Sequence, residues 1–128
     1  MDYEPVTIIQ SDIDAYARVS GDFNPIHVDP EFAKTTPYGS TIAHGTISSA
    51  VIVRRLLHEI GPNRVVKRLS LRFIAPIRSG DSLWAHVELL PESTAHLDQG
   101  GQAYKVSTSN QANETIAIGE AVVAMAQP

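Results

Sequence analysis

Residues 45–62, GTISSAVIVRRLLHEIGP, decide the fold class. Ile47, Ala50, Val51, Val53 or Arg54, Leu57 and Ile60 recur near the 3.6-residue period, which predicts a helix from Gly45 to Ile60 with one apolar stripe. Arg54, Arg55, His58 and Glu59 are left to face solvent at its far end. Gly61-Pro62 stops the helix, with glycine just past the last turn and proline beyond it. The first half, Gly45 to Ala50, is built of small residues. Small side chains let one backbone lie close to another, which suits a helix embedded in a curved sheet.

Outward from this helix the pattern changes. Downstream, Leu69, Leu71 and Phe73 alternate with Arg68, Ser70 and Arg72; Leu83, Ala85, Val87 and Leu89 alternate with Trp84, His86 and Glu88; Tyr104, Val106 and Thr108 alternate with Lys105, Ser107 and Ser109. A period of two is that of a half-buried strand. Ile116 to Met125 is a longer apolar run. Ser79-Gly80-Asp81, Asp98-Gln99-Gly100-Gly101 and Asn110 to Asn113 carry turn chemistry between these runs. Upstream, Pro5 to Gln10 is a short β-branched strand, and Ser11 is placed to cap a helix over about 12–19, with Asp12 and Asp14 in its first turn. Gly21 ends it. From there to His44, Asn24-Pro25, Asp29-Pro30, Pro37 and Gly39 predict an ordered irregular segment with a helical turn or two near Pro30 to Thr35. The layout is a strand, a buried helix and four sequential strands, with sequential strands expected to be antiparallel neighbours. That is an α+β architecture.

The bulk numbers exclude several classes. The 128 residues suit one compact domain that gains from oligomerisation. With 43% hydrophobic and 19% charged residues, the chain is an ordinary globular one. A net charge of −4 argues against a nucleic-acid scaffold, which needs a basic face. Cysteine is absent, which removes disulfides, thiolate metal sites and a cysteine nucleophile. The start, MDYEPVTIIQ, lacks the basic stretch of a secretory signal, and no apolar run approaches the roughly 20 residues that cross a bilayer. The expectation is a cytoplasmic protein with no membrane partner.

The chemistry is concentrated in Ser20-Gly21-Asp22-Phe23-Asn24-Pro25-Ile26-His27-Val28-Asp29-Pro30. Asp22 and His27 are five residues apart, which is not a helical-face spacing, but Asn24-Pro25 favours a turn that can fold both side chains toward one point. A carboxylate and an imidazole can then share acid–base work on one water near neutral pH. The alternative is that Asp22 only makes an Asx-turn and His27 only satisfies backbone groups. Ile42-Ala43-His44-Gly45-Thr46 enters the small-residue helix, where unpaired N–H groups suit a developing oxyanion and glycine permits close approach. Gly45 can equally serve packing. For His44, the backbone position counts and the ring is given no proton.

With these residues in view, the segment Ser20 to His27, followed by Asp29-Pro30 and Ala33, resembles the signature of MaoC-like, or hydratase 2, (R)-specific enoyl-CoA hydratases. Ile42-Ala43-His44-Gly45 is similar to the family's second motif, and FIAPIRSGD, residues 73–81, to its strand-turn element. The resemblance implies a single hot-dog domain over residues 1–128, a curved antiparallel sheet wrapped around a long central helix, with two copies pairing into a homodimer. It implies Asp22 and His27 as the catalytic pair, Asn24 as a positioning residue and the Gly45 N–H as the oxyanion donor. It implies hydration of trans-2-enoyl thioesters to (R)-3-hydroxyacyl thioesters or the reverse dehydration, on coenzyme A or acyl-carrier-protein carriers, with neither metal nor other cofactor.

Two other readings compete: a hot-dog thioesterase, whose pattern the Asp-x-Asn-Pro-x-His spacing does not resemble, and a non-catalytic acyl-binding subunit, which is expected to have lost Asp22 or His27. Carrier phosphates have candidate partners in Lys67, Arg68, Arg72, Arg78 and Arg54 or Arg55, each of which can also be a solvated surface charge. Trp84 is read as strand packing, and His58, His86 and His96 show no metal-ligand grouping.

Overall fold

The structure, a computed structural model, describes residues 4–97 and 100–126. The elements run β1 (Val6–Thr7), α1 (Gln10–Ser20), α2 (Pro25–Val28), α3 (Pro30–Lys34), β2 (Ile42–Ala43), α4 (Ile47–Ile60), β3 (Arg64–Phe73), β4 (Ile77–Arg78), β5 (Ser82–Leu89), α5 (Pro91–Thr94), β6 (Gln102–Ser109) and β7 (Thr115–Met125). Five strands form an antiparallel sheet in the order β1-β5-β6-β7-β3, and β2 pairs with β4 in a separate short ladder. The sheet curls around α4, which is the hot-dog arrangement and an α+β fold.

β5, β6 and β7 are antiparallel neighbours in sequence order, as expected, but β3 departs from that expectation. β3 pairs with β7, from Arg64↔Met125 to Phe73↔Ala117, and not with β5. After Phe73 the chain does not turn back on itself. It runs along Ile74 to Arg78, gives Ile77 and Arg78 to the ladder with Ala43 and Ile42, and only then enters β5, so β3 is displaced to the far side of β7. Gly119 makes that pairing possible: a Cβ there would lie 1.8 Å from the Ser70 carbonyl oxygen. The turns at Ser79-Gly80-Asp81 and Asn110 to Asn113 form as expected, with Gly80 at φ 96° and Asn113 at φ 60°. In the expected turn at Asp98-Gln99-Gly100-Gly101, Asp98 and Gln99 lie outside the described residues.

α4 begins at Ile47 and ends where Gly61, at φ 76°, donates its N–H to Leu57 O. Its buried face differs from the predicted stripe. Ile47, Ser48, Val51, Ile52, Leu56 and Ile60 are buried, while Ala50 is exposed and Leu57 is 48% exposed. So many apolar residues give the helix two usable faces, and the sheet selects between them. Ile47 and Val51 pack with Ile13, Ile77 and Leu83, whereas Ile52, Leu56 and Ile60 pack with Tyr104, Val106, Ala121 and Val123.

α1 starts two residues earlier than predicted. Ile9 is its N-cap and Asp12 Oδ2 accepts the Ile9 N–H at 3.0 Å, so Ser11 is inside the helix and caps nothing. Gly21 ends it at φ 78°, its N–H bonded to Ala17 O. Among the described residues no helix is long and apolar enough to cross a membrane.

Candidate active site

The segment between α1 and α4 is irregular but internally bonded. Asp22 Oδ1 accepts the Asn24 N–H at 3.1 Å, and Asn24 Oδ1 accepts the Ile26 N–H at 3.1 Å, which caps α2. Asp29 Oδ1 accepts from Glu31 and Phe32 and caps α3. These Asx bonds satisfy N–H groups at helix starts that carry proline in the first turn. Their consequence is that α2 presents His27 back toward Asp22.

The His27 Nε2 and Asp22 Oδ2 atoms lie 3.6 Å apart, with the His27 side chain 12% exposed and that of Asp22 53% exposed. His27 Nδ1 is 2.7 Å from the Ile42 carbonyl oxygen. A carbonyl only accepts, so Nδ1 carries a proton and donates it, and in the neutral form of the ring the lone pair is on Nε2, directed at the Asp22 side. A lone pair and a carboxylate are both acceptors, so one water can donate to both. Gln10 braces the arrangement from α1: its Nε2 donates to Asp14 Oδ1 at 2.9 Å and to His27 O at 2.8 Å, while its Oε1 accepts from Thr41 Oγ1 at 2.5 Å.

The β2–β4 ladder carries the rest of the site. β2 supplies the Ile42 carbonyl and delivers His44 and Gly45 to the start of α4. His27 and Gly45 line one open cleft of about 300 Å³, walled by Tyr38, Phe73, Ile74 and Ile116 among others. Asp22 is not part of that wall and joins the cleft only through His27. Gly45 is exposed, and among the described residues none accepts its N–H. A Cβ at Gly45 would meet the Phe73 ring at 3.3 Å, so the absence of a side chain serves packing as well as access.

The His44 ring is a component that spacing did not reveal. It is 4% exposed, stacks on His27 with ring centres 3.9 Å apart and planes at 26°, and lies 0.29 nm, that is 2.9 Å, from the Asp22 carbonyl through Nε2, which donates. Tyr16 packs against it at 4.8 Å, and the Tyr16 and Thr46 hydroxyls are hydrogen-bonded. Nothing in a sequence separation of 22 residues between Asp22 and His44 announces this pairing.

Asp22, His27 and His44 each offer one donor atom within 4.8 Å of the others. That grouping does not fit a single metal ion well. A nitrogen ligand binds in its ring plane at about 2.0–2.1 Å, and stacked rings hold their lone pairs in two separate, nearly parallel planes. Of the basic residues, Arg78 follows the lining residue Ile77 and donates to the Tyr38 carbonyl. Arg54 and Arg55 line a different hollow with Val51 and Leu83, where Arg55 pairs with Glu59 at 3.0 Å. Lys67, Arg68 and Arg72 are exposed on β3. Trp84 is half-buried in β5, opposite Ser109, and His86 bonds Ser109 Oγ at 2.9 Å.

A family model described as "MaoC like domain" matches residues 1–113, and the chain belongs to that family. It is 36% identical over 120 residues to a 3-hydroxybutyryl-CoA dehydratase of Methylorubrum extorquens, covering 91% of this chain and 72% of that protein. It is 43% identical over 93 residues to an (R)-specific enoyl-CoA hydratase of Rhodospirillum rubrum, covering 67% of this chain and 62% of that one. The chain therefore matches about three fifths of the length of the second relative. Among solved structures, the R-hydratase PhaJ1 of Pseudomonas aeruginosa superposes with a TM-score of 0.84 at 30% identity, over 100% of this chain and 80% of that one. The (R)-hydratase of Aeromonas caviae superposes at 0.83 and 26% identity, over 98% and 97%.

Proposed function

We propose that this protein adds water to trans-2-enoyl thioesters to form (R)-3-hydroxyacyl thioesters, and catalyses the reverse dehydration, with Asp22, His27, Asn24 and Gly45 as its site. The observation that carries the reading is the approach of Asp22 Oδ2 to His27 Nε2 with the opposite ring nitrogen tied to Ile42 O. Conjugation to the thioester makes C3 electrophilic. A water donating to both acceptors attacks C3, its proton passes to the pair, and the C2=C3 electrons move onto the thioester oxygen. The Gly45 N–H stabilises that oxygen as an enolate. The enolate then collapses and C2 takes the proton from the pair, so one water is added and the catalyst is returned. Asn24 acts by capping α2 and so holding the turn between the partners. The R outcome follows the names of the relatives.

The thioester carrier, coenzyme A or acyl-carrier protein, presents phosphate, and Arg78 beside the cleft is the cation best placed for it. In this reading residues 1–128 are one MaoC-like unit of a cytoplasmic homodimer. β3 is an outer strand of the sheet and carries exposed Val65 and Phe73, which suits pairing with a second copy.

Incubation with crotonyl-CoA tests the activity. Loss of the conjugated-enoyl absorbance without release of free thiol, with (R)-3-hydroxybutyryl-CoA as product, is expected. Thiol release would instead make the protein a thioesterase, and silence across acyl chain lengths would favour the non-catalytic subunit.

A further inference from the structure

We infer that the His44 ring is a positioning residue for the Asp22–His27 pair, holding one partner by its main chain and the other by its ring face; the inference rests on the hydratase reading above. Asp22 sits on an exposed segment whose other hydrogen bonds are local: its N–H to Ser20 Oγ, and its Oδ1 to the Asn24 N–H. Neither bond fixes where Asp22 lies relative to α4. The bond from His44 Nε2–H to Asp22 O does, because it spans 22 residues and starts from a buried side chain.

His27 has a complementary need. Its ring has one in-plane tether, Nδ1–H to Ile42 O, and a single hydrogen bond leaves a ring free to tilt about that bond. The His44 ring lies flat against it at 3.9 Å and 26°, which restricts the tilt and keeps Nε2 on the Asp22 side. His44 is in turn held by Tyr16, whose hydroxyl is bonded to Thr46 at the start of α4. One side chain thus ties both members of the pair to the central helix.

The arrangement carries a cost that points the same way. With Nε2 donating, His44 Nδ1 is left buried, and among the described residues it has no hydrogen-bond partner. Burying an unpaired polar atom is unfavourable, and a phenyl ring would fill the same space without that penalty. An imidazole is useful there because it supplies both a donor for Asp22 and a face for His27. His44 does not line the cleft shared by His27 and Gly45, and its Nε2 is committed to a carbonyl, so it acts through the pair and not on substrate.

The test compares His44→Ala, His44→Gln and His44→Phe. Gln keeps a donor near the Nε2 position and loses the ring; Phe keeps the ring and loses the donor. For each, kcat and KM for crotonyl-CoA are measured on protein shown to be folded, and the His27 ring nitrogens are followed by long-range proton–nitrogen NMR. A displacement of about 1 Å in a reacting group costs on the order of 100-fold, so His44→Ala is expected to lower kcat by about that factor with KM within about threefold. Gln and Phe should each regain about tenfold over Ala. His27 should hold its proton on Nδ1 in the wild type and lose that single tautomer in His44→Ala. A folded Ala variant with kcat near wild type would overturn the inference, as would Gln and Phe variants no better than Ala. Should the wild type fail to hydrate any enoyl thioester, the hydratase reading falls, and the His27 nitrogen signals still decide the positioning role: unchanged signals in all three variants refute it, and a change in Ala that Phe reverses supports it.

Discussion

Replacing Asp22 by asparagine separates the catalytic role proposed for this residue from its structural one. The amide oxygen of Asn can still accept the Asn24 N–H that Asp22 Oδ1 accepts at 3.1 Å, and asparagine serves an Asx-turn as well as aspartate does. The side chain is 53% exposed, so little burial changes. Stability should therefore stay within about 0.5 kcal/mol of the wild type. At the other atom the substitution is drastic. Oδ2, 3.6 Å from His27 Nε2, becomes an NH2 group that can donate to the Nε2 lone pair. The site then loses one water acceptor outright and has the second one occupied. Turnover of crotonyl-CoA should fall by about 100-fold or more, equivalent to roughly 2.7 kcal/mol on the barrier. The assay is enoyl absorbance decay beside a thermal melt of the same sample. A variant that melts normally and turns over within about threefold of wild type would show that Asp22 is only a turn residue; a loss of turnover matched by a loss of folded protein would remove the support for catalysis.

Other perturbations probe the frame around the pair. Gly45→Ala places a Cβ 3.3 Å from a Phe73 ring that is 49% exposed and can yield, so stability should drop by no more than about 1 kcal/mol while kcat/KM falls about tenfold or more as the methyl crowds the amide. Gly119→Ala has no such relief, since its Cβ meets the Ser70 carbonyl at 1.8 Å; a strongly lowered melting temperature, by a few kcal/mol in stability, is expected, with β3 amides losing hydrogen-exchange protection. Ile52→Ala removes a fully buried side chain from the α4–sheet contact and should cost about 2–5 kcal/mol in chemical denaturation. Burial, and secondarily the Glu59 charge, hold the Tyr104 phenol above its ordinary value of 10.0. Its contribution to stability is complete below that value and is lost as pH rises through the higher folded-state value, so Tyr104→Phe should flatten the alkaline decline of stability.

The elements differ in how openly they are written. The stop of α1 at Gly21 and of α4 at Gly61 could be read from one residue each, because a positive φ just past the last turn is a local demand that glycine meets. The starts were less legible. Ser11 has cap chemistry, yet Asp12 reaches back to Ile9 and the helix begins earlier, leaving Gln10 free to brace His27 and Thr41. α4 was visible as a helix, but its inward face was not: Leu57 fits the period as well as Leu56 does, and only the sheet's own side chains choose between them. The pairing of β3 with β7 was hidden for a related reason. The excursion through Ile77 and Arg78 uses a two-residue ladder too short to have a period.

By itself the sequence determined the inventory: a helix with small residues at its start, alternating strands after it, and an acid, an imidazole and an unencumbered glycine amide within 24 residues of one another. These are local properties, set by backbone conformation, side-chain period and turn chemistry. The tertiary structure alone decided which helix face is inside, which strand closes the sheet, and that the His44 ring lies between the backbone of Asp22 and the ring of His27. Such choices depend on which distant surfaces bury each other most completely, and that free energy belongs to pairs of segments and to no single stretch of chain.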